Sequence, residues 1–282
     1  MQKRIFPGIG LAILFLLNVT IASELPETIN RKYQVTGKEL RAKVRMDAGE
    51  FTLARSQDAQ TIWVHISYNP ERCDVHVSLD EKDGEFYLDV DHSDWIKDSE
   101  DDDIAKVRIE LPAEPVTDLD ARIKVGELKF DLGGLSLRRC KIRSYAGELT
   151  VDFDEPNRIR MDMLDVNCSI GESSLQNLGF ARFHRANLNS GIGEMSVDFS
   201  GWDGFSGEAD LDNDLGEMSV DIPKETAVKI RINKAGFLTD THCSGWFEQR
   251  GRYLYSRHFS DNKEHLYLRI SSGIGELDVD AK

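Results

Sequence analysis

The six residues GEMSVD occur twice, at 193–198 and again at 216–221, 23 positions apart. The same pattern, Gly-Glu-apolar-x-apolar-Asp, recurs as GELKFD from Gly126, GELTVD from Gly147 and GELDVD from Gly275. A degraded copy, GESSLQ, starts at Gly171. Successive glycines from Gly126 to Gly216 stand 21, 24, 22 and 23 residues apart. Looser relatives are GEFTLA at Gly49 and GEFYLD at Gly84, and the 59-residue gap from Gly216 to Gly275 holds an insertion. A catalytic loop is needed once, whereas a segment repeated at a near-constant period is a structural unit.

Each copy alternates apolar and polar residues with period two, as a half-buried strand does. The alternation continues upstream. Ile142, Val166, Leu188, Leu211 and Ile270 lie five residues before their glycines, and Ser144, Cys168, Ser190, Asn213 and Ser272 lie three before. Val125, Ala146, Ile170, Ile192, Leu215 and Ile274 immediately precede the glycines. Downstream, Leu128, Leu149, Met195, Met218 and Leu277 open a second strand. Carrying one parity across the glycine puts all these columns on a single inward face. The unit is then a strand, a bend at glycine and a second strand, since glycine tolerates positive φ and bulges. One such rung cannot bury its apolar face alone, but a stack can. The predicted fold is all-β: a β-solenoid, of β-roll or β-helix type, with rungs of about 22 residues and capping strands at both ends.

The chain divides accordingly. Residues 1–22 combine a basic start, MQKR, with an apolar run and small residues, and are expected to be a secretory signal peptide cleaved after Ala22. Residues 23–110 form an N-terminal β region and cap, with RAKVRM, TIWVHISY, DVHVSL and AKVRIELP as strands. Residues 111–223 hold the rungs. Residues 224–282 hold a hairpin insertion with QRGR near its turn, the final rung and a cap. The acidic run DSEDDD at 98–103 is expected in a solvated loop tip. The late aromatics Trp202, Trp246, Phe247, Tyr253, Tyr255 and Phe259 suit a cap over an open core end.

The net charge of −15 disfavours nucleic acid, because an acidic surface repels phosphate. The four cysteines, Cys73, Cys140, Cys168 and Cys243, have no zinc-site spacing. In the rung register Cys140 and Cys168 fall four residues apart along the strand, about 13 Å, too far for a disulfide.

Two outward columns are acidic: Glu127, Glu148, Glu172, Glu194, Glu217 and Glu276 after the glycines, and Asp131, Asp152, Asp198, Asp221 and Asp280 four residues on. Stacked strands lie about 4.8 Å apart, so like charges stand side by side. Glu148, Asp152, Glu194, Asp198, Glu217 and Asp221 are therefore candidate cation ligands, with Ca²⁺ as the candidate ion. A solvated face is the competing reading, and the Gly-Gly-x-Gly-x-Asp motif of calcium-binding β-rolls is missing. The seven histidines form no HExxH or nucleophile constellation, and the GIG segments at Gly191 and Gly273 read as bends rather than phosphate loops. No catalytic or cofactor-binding residue is assigned.

The rungs IKVGELKFDLGGLSL, YAGELTVDF and SGIGEMSVDF resemble the toast-rack, or "putative adhesin", β-solenoid family of bacterial exported and envelope proteins. The resemblance runs from Leu40 to Asp280. It implies a non-enzymatic envelope or surface role, adhesion-like or sensory. The expectation is a non-catalytic binding or scaffolding module, exported to the periplasm or cell surface of a bacterium. Its partner would be an envelope protein or a surface glycan, with no transmembrane span after signal cleavage. A calcium-binding surface module and a polysaccharide-active β-helix enzyme are the alternatives.

Overall fold

The computed structural model describes residues 26–92, 104–202, 204, 206–234, 238–260 and 265–282. The signal peptide expected at 1–22 and the acidic run at 98–103 lie outside the described residues.

Among the described residues, sixteen strands form one sheet. They are β1 (Glu27–Gln34), β2 (Glu39–Arg55), β3 (Thr61–Tyr68), β4 (Cys73–Asp80), β5 (Glu85–His92), β6 (Lys106–Leu111), β7 (Val116–Asp131) and β8 (Leu137–Asp152). There follow β9 (Met161–Gln176), β10 (Phe183–Asp198), β11 (Gly207–Ile222), β12 (Val228–Lys234), β13 (Thr239–Cys243), β14 (Glu248–Arg250), β15 (Tyr253–Tyr255) and β16 (Leu266–Ala281). Seven of them are 16 or 17 residues long and stack in parallel in the order β2-β7-β8-β9-β10-β11-β16. This is the predicted solenoid. Gly49, Gly126, Gly147, Gly171, Gly193, Gly216 and Gly275 are paired in register from rung to rung.

The glycines are required by contact as well as by conformation. Gly193 has φ +134, and a Cβ placed on it would lie 2.0 Å from the carbonyl oxygen of Gly171. The same clash repeats up the stack: each bend fits only because the rung above leaves room for the carbonyl below.

Each glycine divides its strand into a first and a second arm. Inward residues stand seven, five and three before the glycine, then two and four after it. In β10 these are Ala186, Leu188, Ser190, Met195 and Val197, all buried. The core fills the space between the two arms and the connections that return from one rung to the next. Phe153 and Phe199 close it from the start of two returns, and Phe51 packs on Phe130 at 5.2 Å. Asn157 is fully buried where a return meets β8. Its Oδ1 accepts from the Leu137 N–H at 2.8 Å, and its Nδ2 donates to the carbonyls of Leu137 and Ile159.

Two sequence expectations are corrected here. The residues just before the glycines do not face inward: Ile170, Ile192, Leu215 and Ile274 are 42–51% exposed. Four residues lie between the last inward position before the glycine and the first after it, where strict alternation leaves an odd number, so the parity flips and these aliphatics line the outer corner. GEFYLD at Gly84 is no bend either, because β5 runs beside the first arm of β2 only, pairing Arg41 with Glu85. The outer face of the first arm carries charges of both signs. On the first arm Lys141 pairs with Asp165 at 3.1 Å, and Arg138 with Asp118 at 2.8 Å and Glu39 at 3.1 Å. Arg269 there binds both Glu208 and Asp210.

Each end of the stack is covered arm by arm. At the N-terminal end β5 and β4 extend the first arm of β2, while β6, β3 and β1 extend the second. At the C-terminal end β16 lies between β11 and β12. Strand β12 continues the first arm, with the β14–β15 hairpin at its edge turning at Gly251. Strand β13 continues the second arm. The late aromatics include Tyr255, which packs on Phe259 at 4.8 Å, and Trp202, whose ring meets Phe183 edge-on at 6.0 Å. The cysteine register holds: Cys140 lies opposite Leu164 and Cys168 lies opposite Ser144.

Candidate functional site

The two arms present different outer faces. The second arm carries three outward columns, one, three and five residues after the glycine. The first is Glu50, Glu127, Glu148, Glu172, Glu194, Glu217 and Glu276. The next is mostly hydroxyl from the middle rungs on, with Thr150, Ser174, Ser196 and Ser219 ahead of Asp278. These two columns line a shallow groove of about 240 Å³ that runs from Glu148 to Asp278.

The columns extend past the long strands at both ends. Strand β6 pairs Lys106 with Glu50 and Arg108 with Thr52, so one end of the groove face is basic, and the Lys106–Glu50 ion pair is 2.6 Å. Strand β13 pairs Asp240 with Glu276 and His242 with Asp278 at the other end. Between these ends, among the described residues, no lysine or arginine pairs with Glu148, Glu172, Glu194 or Glu217. Adjacent carboxylates at roughly 6 Å in water repel by about 0.7 kcal/mol each. The sequence conserves no energy by this arrangement; it creates a strip of negative potential that a cationic group would relieve.

The aspartate column is already engaged. Asp152 accepts from Asn177 Nδ2 at 2.8 Å, Asp198 from the Ser200 hydroxyl at 2.8 Å, and Asp221 is ion-paired with Lys282. Burial pushes the Asp131 carboxyl above the usual aspartate value. Of the six cation candidates, then, Glu148, Glu194 and Glu217 lie in the groove, while Asp152, Asp198 and Asp221 hold the start of the return connections. The two sets are four residues apart along each strand, about 13 Å, so one ion cannot bridge a glutamate to the aspartate of its own rung.

Beside the glutamates, across the glycine spine, runs the aliphatic corner. Ile170, Ile192, Leu215 and Ile274 occupy consecutive rungs, with Tyr145 exposed near the same corner. Four large apolar side chains in a line on a solvent-facing edge form a patch, which scattered surface leucines do not. The parity error hid this ridge from sequence reasoning. A count of residues between the flanking buried positions would have exposed it.

Sequence reasoning also missed His242. It lies in a strand without the Gly-Glu motif, and only the pairing of β13 with β16 brings it beside Glu276 and Asp278. Of the described residues these three form the one cluster of histidine and carboxylates able to hold a metal ion.

Comparison with known proteins gives a family and a set of folds. The family described as the N-terminal domain of toast_rack, DUF2154, matches residues 21–163. Among solved structures, a "putative cell adhesion protein" from Clostridium sporogenes is 14% identical, with a TM-score of 0.45, covering 91% of this chain and 100% of that one. A "putative adhesin" from Bacteroides fragilis is 14% identical, with a TM-score of 0.41, covering 90% of this chain and 97% of that one. A "putative lipid binding protein" from Parabacteroides distasonis is 11% identical, with a TM-score of 0.31, covering 92% of this chain and 98% of that one. No curated protein matches. Among the described residues, no helix is long and apolar enough to cross a membrane.

Proposed function

This chain belongs to the toast_rack N-terminal domain family, and from that premise we propose that it is a non-catalytic binding module of the bacterial cell envelope, adhesin-like and exported. The observation that carries the reading is the second-arm face: a glutamate ladder with no lysine or arginine partner from Glu148 to Glu217 among the described residues, beside a ridge of exposed aliphatics. That combination suits a partner that is basic and partly apolar. Charge would steer the encounter, and the ridge would supply buried apolar area. The non-catalytic part is supported by the character of the face. It repeats one set of groups from rung to rung, whereas an acid, base and nucleophile are distinct groups converging on one point.

The test is retention on isolated envelopes. The chain without its leader is bound to washed envelope fractions at rising salt, alongside two variants. One carries Glu148→Gln, Glu172→Gln, Glu194→Gln and Glu217→Gln; the other carries Ile192→Ser and Leu215→Ser. Retention that falls in both variants, with salt sensitivity lost in the first, is the expected result. Equal retention of wild type and both variants would refute the assignment of this face. A second reading, Ca²⁺ held between neighbouring glutamates of adjacent rungs, rests on the same ladder. It is separated by a melting temperature that rises with Ca²⁺ in the wild type and not in the glutamine variant.

A further inference from the structure

We propose that His242, Glu276 and Asp278 form a binding site for a divalent transition-metal ion of the Zn²⁺ class, tying β13 to the last full rung. The site does not depend on the partner-binding reading and can fail without it.

The geometry starts from register. His242 and Asp278 are direct partners across the β13–β16 pair, and Glu276, two residues before Asp278, points to the same outward face. His242 Nδ1 lies 3.5 Å from a Glu276 carboxylate oxygen and 3.4 Å from an Asp278 carboxylate oxygen. Those are long for charge-assisted hydrogen bonds, which close to about 2.7–2.9 Å. They are instead the separation expected of two donors on one tetrahedral ion: bonds of about 2.0–2.1 Å put neighbouring ligand atoms roughly 3.4 Å apart. All three donor atoms lie within 4.8 Å of one another, so a common centre is within reach of each.

Charge and donor type point the same way. Two carboxylates and a neutral imidazole carry two negative charges, which a divalent ion cancels. Among the described residues, no lysine or arginine is ion-paired with Glu276 or Asp278. Asp240 stands across from Glu276, and Glu217 is the next glutamate along the ladder, so the local field favours a cation further. An imidazole selects the site against Ca²⁺ and Mg²⁺, which take oxygen donors, and suits Zn²⁺, Ni²⁺, Co²⁺ or Cu²⁺. Three protein donors leave a coordination position open to solvent, where water or a donor from a partner could bind. The ligands come from a five-residue strand and from the final rung, so the ion would clamp the cap of the second arm.

The experiment is a Co²⁺ titration of the purified chain, without a polyhistidine tag, followed by visible absorption and by displacement with Zn²⁺. The proposal expects one equivalent with a ligand-field band, and displacement by Zn²⁺ at far lower concentration than by Ca²⁺. His242→Ala and Asp278→Asn should each weaken binding by roughly tenfold or more, since loss of a ligand exceeds loss of an outer-shell partner. Glu81→Gln, in the exposed turn between β4 and β5, should leave it unchanged. All three positions are solvent-facing, and metal-free melting curves matching the wild type would certify that the variants are folded. Equal Co²⁺ affinity in His242→Ala, or displacement by Ca²⁺ as readily as by Zn²⁺, would overturn the site. Either result would mean that the carboxylates bind cations diffusely.

Discussion

Replacing Gly193 by alanine tests the stacking argument at its tightest point. The new Cβ would sit 2.0 Å from the Gly171 carbonyl oxygen, 1.4 Å inside the 3.4 Å at which ordinary contact begins. Neither atom can swing away, because both belong to backbone paired in register, Gly171 below and Gly216 above. The strands must part locally or the bend must change shape. Overpacking of this kind costs about 1–3 kcal/mol, and holding a non-glycine residue at φ +134 costs a further 1–3 kcal/mol or so. The expected loss is therefore about 2–6 kcal/mol, a large share of the roughly 5–15 kcal/mol of a folded domain. Gly251→Ala is the control: φ is +66 but nothing lies within 4 Å of the added methyl, so only the conformational cost remains. Urea unfolding followed by tryptophan fluorescence gives both values. If Gly193→Ala loses no more stability than Gly251→Ala, the carbonyl contact does not constrain the bend and the account of the glycine spine is wrong.

Four further outcomes are expected. Leu211→Ala, in the core, should cost about 2–5 kcal/mol, and Leu215→Ala, on the outer corner, less than about 0.5 kcal/mol; similar losses at both would restore the single-parity reading. Asn213 is buried with neither polar side-chain atom partnered by the protein, so Asn213→Leu should stabilise by about 1 kcal/mol; a lower urea midpoint would mean that the amide is satisfied by bound water. With native protein, a thiol reagent should modify Cys243 first, since Cys73, Cys140 and Cys168 are buried and burial drives the Cys140 thiol pKa up; rapid labelling of all four would contradict the core. Finally, a hydrogen bond with Asp47 raises the Asp91 carboxyl, and burial raises those of Asp131, Asp165 and Asp212. A raised folded value means that stability from these groups is full below about pH 3.8 and is lost as pH rises through the folded values. Their contribution should therefore grow as pH falls from 7 towards 4. The salt-bridged Glu155, lowered by its hydrogen bond with Arg55, opposes this only at the acid end. Melting temperature against pH should hold or rise down to about pH 5, and a steep early fall would refute it.

The rungs were legible because one glycine, one glutamate and two apolar positions recur at nearly fixed spacing, and that spacing is the solenoid's circumference. The candidate glutamates were legible for the same reason. What escaped was anything not carried by local periodicity. A period-two pattern cannot be extended through a residue at positive φ, so Ile192 and Leu215 were placed inside. Which strand neighbours β2 or β16 depends on pairings made over long stretches of chain, and no motif marks them. His242 belongs to that class: TDTHC reads as an ordinary short strand until its neighbour is known.

The spacing of the glycines has a kinetic consequence. From Gly126 to Gly216 each new rung lies 21–24 residues from the last, so every long-range pairing there is a short step along the chain. The outer rungs are different: Gly49 must find Gly126 across 77 residues, and Gly216 must find Gly275 across 59. Loop closure makes the distant pairings slower, and a linear array propagates from whichever neighbours meet first. The chain should then fold from its middle, with β7 to β11 zipping together before β2 and β16 dock. Pulse-labelled hydrogen exchange would read this as early protection of residues 116–222 and late protection of residues 39–55 and 266–281. A transient species with both ends of that central stack bare would expose two unpaired strand edges. The pieces that complete the fold last are the ones that cover them.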